Sequence, residues 1–232
     1  AVAPRGIGDM RLTPTDAARV AEAVAEAERT TSGEIVTIVA HRSDKYHDVA
    51  LHWAVLAMLL VLALLALWPG IAVTLHGLVA DPWDGAPAPG GLFTVALVLL
   101  AATFLTVRVA LAWMPLRLAL TPRRTAARRV RMRALMLFRA SAEARTRDAT
   151  GVLLYLSLDE HRAELIADAA IHSRVAPEVW GAAMAALITA TRDGRPGDGM
   201  AEAIRQIGIV LTEHFPPRAD DTNELPDRLI QL

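Results

Sequence analysis

The sequence predicts an α/β fold in which a small mixed sheet, flanked by helices, is interrupted by a two-helix transmembrane hairpin. Two uncharged apolar runs, Ala50–Trp68 and Gly91–Val107, span 19 and 17 residues. Strand-like segments rich in β-branched residues and leucine lie on either side of them, at 34–40 and 152–158. Amphipathic helical segments flank those strands. The 232 residues are 53% hydrophobic and 21% charged, with mean hydropathy +0.33. A soluble domain carries about 45–50% apolar and about 25% charged residues. The composition therefore excludes a plain soluble enzyme, a disulfide-rich module and a disordered chain. With no cysteine, disulfides, thiolate metal sites and a thiol nucleophile are also excluded.

The first polar segment, 9–45, opens with LTPTDAARVAEAVAEAER at 12–29. Thr13 can cap a helix with Pro14 at its first position and Asp16 in the first turn, where the helix dipole favours an anion. Thr31-Ser32-Gly33 breaks the helix, and Glu34–Ala40 reads as a strand ending at His41. Glu34 is expected to pair with an arginine.

Residues 46–114 follow as the hairpin, with spans near 50–68 and 91–113. A helix rising 1.5 Å per residue needs roughly 20 residues to cross about 30 Å of hydrocarbon. The connection 69–90 holds Asp81 and Asp84 but no Lys or Arg, whereas Arg108 to Arg133 supplies eight arginines after the second span. The positive-inside rule places that connection outside and both termini in the cytoplasm, as expected of a bacterial inner-membrane protein. The spans hold only His52 as an ionisable group, with Arg108 at a border, so a transporter or channel has no support.

Residues 115–215 begin with the arginine-rich stretch PLRLALTPRRTAARRVRMRALMLFRA. Arg123, Arg124, Arg128 and Arg129 are candidate contacts to anionic lipid or an acidic partner; a topogenic arginine excess before a domain helix explains the same residues. Nucleic acid is not expected, because no aromatic residues interleave the arginines. Val152–Leu158 and Arg162–Asp168 then read as an antiparallel pair joined by the turn Asp159-Glu160-His161. A helix is expected over Pro177–Arg192, then a loop at Gly194–Gly199, then a last helix capped by Asp198 and running to about Phe215. Residues 216–232 read as an extended polar tail. One helix and one strand cannot bury a face alone, so 9–41 must complete a single domain with 130–215.

The opening LTPTDAARVAEAVAEAERTTSGEIVTIVA resembles the start of the TPM domain family. The later strand Gly151–Leu158, the strand Arg162–Asp168 and the GDGMAEAI helix start follow in that family's order. Roughly two-thirds of the chain is covered, and the split by a hydrophobic hairpin is similar to the membrane-anchored bacterial branch. The resemblance implies kinship with thylakoid-lumen proteins of photosystem repair, for which an acid phosphatase activity and calcium binding have been proposed.

Two function classes follow. One is a non-enzymatic, membrane-anchored factor that docks on, assembles or maintains an inner-membrane protein complex, photosynthetic or respiratory. The other is a weak metal-dependent phosphatase with Asp159, Asp168 and His161 as catalytic candidates. For it, Asp159, Glu160 and Asp168 are candidate ligands of Ca²⁺ or Mg²⁺, since hard cations require clustered oxygen ligands. A solvated turn with helix caps explains these residues better than catalysis does, and no phosphate-cradling loop is present. The acidic run Asp220–Glu224 lacks the spacing of a calcium loop.

Overall fold

A computed structural model describes residues 12–80, 87–141, 150–217, 225 and 227–232. The chain divides into two units: residues 1–44 with 123–232, and residues 45–122.

In the first unit, helix α1 spans Pro14–Glu28 and starts as its sequence dictates. Thr13 Oγ1 accepts the Asp16 amide at 3.1 Å, while Asp16 Oδ2 accepts the Thr13 amide at 3.0 Å. This reciprocal box satisfies two amides that a helix start leaves unpaired. Strand β1, Glu34–Ala40, pairs in parallel with β2, Gly151–Ser157, from Glu34↔Gly151 to Ala40↔Ser157. β2 pairs antiparallel with β3, Arg162–Ala167, from Val152↔Ala167 to Ser157↔Arg162. The sheet has four strands in the order β3-β2-β1-β4. The fourth, β4, is Ile230–Gln231, which joins β1 in parallel and was not foreseen in the expected polar tail. Its two residues carry too little pattern to read as a strand in isolation. The acidic run 220–224 lies outside the described residues.

Side-chain alternation divides the sheet residues between two cores. Ile35, Val39, Val152, Leu154 and Leu156 pack with α1 and with two later helices, α8 (Gly181–Arg192) and α9 (Pro196–His214). Val36, Ile38, Leu153, Tyr155 and Ile166 pack with Val130, Ala134 and Phe138 of α6, which spans Arg123–Ser141. β1 and β2 are buried along their whole length, as central parallel strands between helical layers must be.

Past β3 lie the short helix α7, Ala169–His172, a 3-10 turn at Pro177–Trp180 and helix α8, Gly181–Arg192. One continuous helix was expected from Pro177. Gly194, at φ +76°, ends α8 in a conformation that favours glycine. Helix α9 then runs from Pro196 to His214, so it begins inside the expected loop. Asp198 is consequently no cap; it sits in the first turn of α9 and forms an ion pair with Arg19 of α1. Where α1 and α9 touch, a Cβ added at Gly208 would lie 2.7 Å from the Ala27 Cβ, so glycine permits that close approach.

In the second unit, α2 spans His47–Leu67 and α4 spans Pro89–Ala110. Both are long and apolar enough to cross a membrane. α4 buries no residue and α2 only four, so neither is the core helix of a soluble fold. The second span stops at Ala110 rather than reaching Trp113, which instead precedes helix α5, Met114–Ala119. The connection between the spans contains helix α3, Gly70–Gly77, where only loop was expected. Arg117, counted above among the topogenic arginines, is buried: its Nε donates to Leu111 O and its Nη1 to Lys45 O, both at 2.7 Å. It ties the two ends of this unit together. The unit therefore closes at Pro122, not at residue 114.

Candidate functional site

The expected turn residues sit at the carboxyl ends of β1 and β2, where open α/β sheets commonly bind ligands. His161 holds the turn at φ +47°. Asp159 faces Arg42 across 3.5 Å and is half-buried. Burial pushes its carboxyl above the usual range, Arg42 opposes this, and the neighbouring Glu160 adds to it. Glu160 accepts the Ser43 amide at 2.8 Å through Oε1, and the Ser157 hydroxyl through Oε2. Ser43 Oγ lies 3.0 Å from both Tyr155 Oη and Ser157 Oγ. Burial raises the Tyr155 hydroxyl pKa, while the two serines lower it.

Ser43, Tyr155 and Ser157 were absent from the sequence candidates. Ser157 was visible as the one hydroxyl ending an apolar strand, and Tyr155 as the one polar-tipped side chain within it. Their partnership with Ser43, more than a hundred residues earlier, was not visible. The network spends its hydroxyls and the Glu160 carboxylate on one another. It locks the chain leaving β1 to the β2–β3 turn and offers no serine paired with a free base.

Asp168 lies elsewhere. Its Oδ2 accepts the Gly151 amide at 3.0 Å, and its own amide donates to Gly151 O at 2.9 Å. The register puts this pair at the far end of the hairpin from Asp159, about 20 Å away at about 3.3 Å per residue. Asp159, Glu160 and Asp168 thus do not converge on one ion, and Asp159, Asp168 and His161 do not share one site. Among the described residues, no group of three acids or histidines could hold a metal. Their donor sets do not fit Ca²⁺ or Mg²⁺ as expected, because strand ends look alike in sequence whichever end of the sheet they occupy.

The arginine quartet also divides. Arg129 Nη1 binds Asp44 Oδ2 at 2.9 Å with its side chain 17% exposed, so it faces the domain and not a lipid surface. Arg123, Arg124 and Arg128 are exposed. α6 carries no acid.

A second feature was not anticipated. Along β3, at the edge of the sheet, runs a groove of about 530 Å³. Leu135, Phe138 and Arg131 of α6 form one wall, and Trp180 and Met184 form the other. Arg131 pairs with Glu164 at 3.4 Å; burial raises the Glu164 pKa and the arginine counters it. The sequence signal was the short alternating strand at the end of a hairpin, which is the position of an edge.

No family model matches the chain, and no curated protein matches it. Among solved structures, it is similar to the NMR structure of the BA42 protein from the psychrophilic bacterium Bizionia argentinensis. The TM-score is 0.55 at 17% identity, with 95% of each chain covered. The likeness extends to the fold.

Proposed function

We propose that this is a membrane-anchored, TPM-like docking factor of the bacterial inner membrane. It acts in assembly or maintenance of a membrane protein complex, photosynthetic or respiratory. One observation carries the reading: the apolar unit 45–122 is inserted between β1 and α6 of an α/β unit whose own sheet and cores are complete without it. Such an insertion anchors and does not serve as core. Confinement to a bilayer raises the effective concentration of a domain towards other membrane proteins, so a weak interface suffices. The exposed Arg123, Arg124 and Arg128 add a salt-sensitive attraction to anionic lipid or an acidic partner. The phosphatase alternative is not favoured, because its carboxylates and histidine do not share a site.

Replacing Arg123, Arg124 and Arg128 by Gln is expected to lower recovery of a co-purifying membrane complex at low salt, with insertion and melting unchanged. Equal recovery at low and high salt would reduce these arginines to topology signals. Topology is checked separately. Reporter fusions after Asp44 and Leu232 should both read as cytoplasmic, and one within 81–90 as external. A cytoplasmic reading at 81–90 would overturn the hairpin.

A further inference from the structure

Among the described residues, no strand pairs with the outer edge of β3. Asp168 N–H points to Gly151 O across the hairpin. Hydrogen-bonding direction alternates along an antiparallel strand, so Ile166, Glu164 and Arg162 also turn their amides towards β2. Ala163 and Leu165 therefore turn N–H and C=O outward into the groove. Its two walls differ. The α6 wall carries Arg131, 63% exposed and paired on one side with Glu164 of β3, on a helix without acids, next to Leu135 and Phe138. The opposite wall presents Trp180 and Met184. A strand laid here sends successive side chains alternately to one wall and the other.

The geometry points to an extended peptide segment of alternating acidic and apolar residues, added as a strand to the β3 edge, as the ligand of this groove. Its carboxylates meet Arg131 and the positive face of α6, its apolar side chains meet Trp180 and Met184, and its backbone pairs with Ala163 and Leu165. This is recognition by strand addition, in which the main chain supplies affinity and the two walls supply specificity. The inference rests on the docking reading and names the chemistry of its partner.

The test uses the full chain in detergent and a fluorescent Glu-Val-Glu-Leu-Glu-Val-Glu-Leu peptide, with binding read by fluorescence polarisation. The alternating peptide should bind, and a block-ordered peptide of the same composition should bind at least about tenfold more weakly. Methylating peptide amides one at a time should abolish binding at every second position and spare those between. Hydrogen exchange at Ala163 and Leu165 should slow when the peptide is present. Met184→Glu should weaken binding, and Arg131→Glu should switch preference to the Lys-for-Glu peptide. Neither binding nor exchange protection, or binding indifferent to the position of methylation, overturns strand addition. So does concentration-dependent protection of Ala163 and Leu165 without peptide, which would assign the edge to a second copy of the chain. In those outcomes, arginine-dependent recovery of a membrane complex would still stand, so the failure of this inference is separable from failure of the docking reading.

Discussion

A chain cut to residues 123–232 is expected not to fold, whereas residues 12–44 joined to 123–232 by a flexible linker should melt cooperatively in water without detergent. β1 is the strand that makes the sheet: it pairs with β2 over seven residues on one side and with β4 on the other. Its loss strands β4 and leaves β2 with one partner. The side chains lost with α1 and β1 include Val20, Val24, Ile35, Val36, Ile38 and Val39, all at most 3% exposed. At about 1.5–3 kcal/mol for each, their burial rivals the whole stability of a domain, about 5–15 kcal/mol. Removing the apolar unit takes nothing from either core, since every residue of both cores lies in 12–44 or beyond 123. The join is short, because Arg129 of α6 already reaches Asp44. About ten Gly and Ser residues spread over roughly 16–19 Å, which is ample. Circular dichroism melts and amide dispersion in proton NMR measure both outcomes. A cooperative melt from 123–232 alone, or none from the linked chain, would refute the split-domain architecture.

Local signals in this sequence were legible wherever neighbours in the chain decide the structure. Thr13, Pro14 and Asp16 set the start of α1 through contacts three residues apart, and the strand-turn-strand order of 151–167 gives the hairpin without remote help. The two long apolar helices declare themselves through length and lack of charge. Remote pairings were not legible. Nothing near Ile230 says that two residues will extend the sheet beside Ile38. Nothing near Arg129 or Arg117 separates them from the exposed arginines; Asp44 and the carbonyls of Lys45 and Leu111 do so. The candidate site failed for the same reason. Asp159 and Asp168 both stand at strand ends, but an antiparallel hairpin sends those ends to opposite rims of the sheet. The groove requires α6 and α8 to rise on either side of one strand, and this arrangement is set by the cores and not by any local motif.

Replacing Glu28 by Gln is expected to stabilise the α/β unit, increasingly as pH rises towards 8. Glu28 ends α1, and its Oε1 accepts the Ile35 amide at 2.8 Å, tying the helix end to β1. Its Oε2 is buried beside the Asp227 carboxyl. Burial is the main cause that lifts the carboxyl from the ordinary 4.5 to about 8; the Ile35 amide opposes it, and the nearby Glu34 and Asp227 carboxylates add to it. The native state therefore holds a proton at neutral pH that the unfolded chain has released. Its contribution to stability is full below about pH 4.5, declines as the unfolded form ionises, and is lost by about pH 8. Discounted for partial solvent access, the loss across that window is about 2–4 kcal/mol. Gln is the uncharged shape of the protonated side chain. Its Oε1 can keep the Ile35 bond, and its amide gains a donor directed towards acidic neighbours. Thermal melts of the full chain in detergent at pH 5 and pH 8.5 provide the check. Glu28→Gln should differ little from the native chain at pH 5 and exceed it by several degrees at pH 8.5. An equal difference at both pH values would mean that Glu28 titrates alike in the folded and unfolded chains, and that its burial carries no such cost.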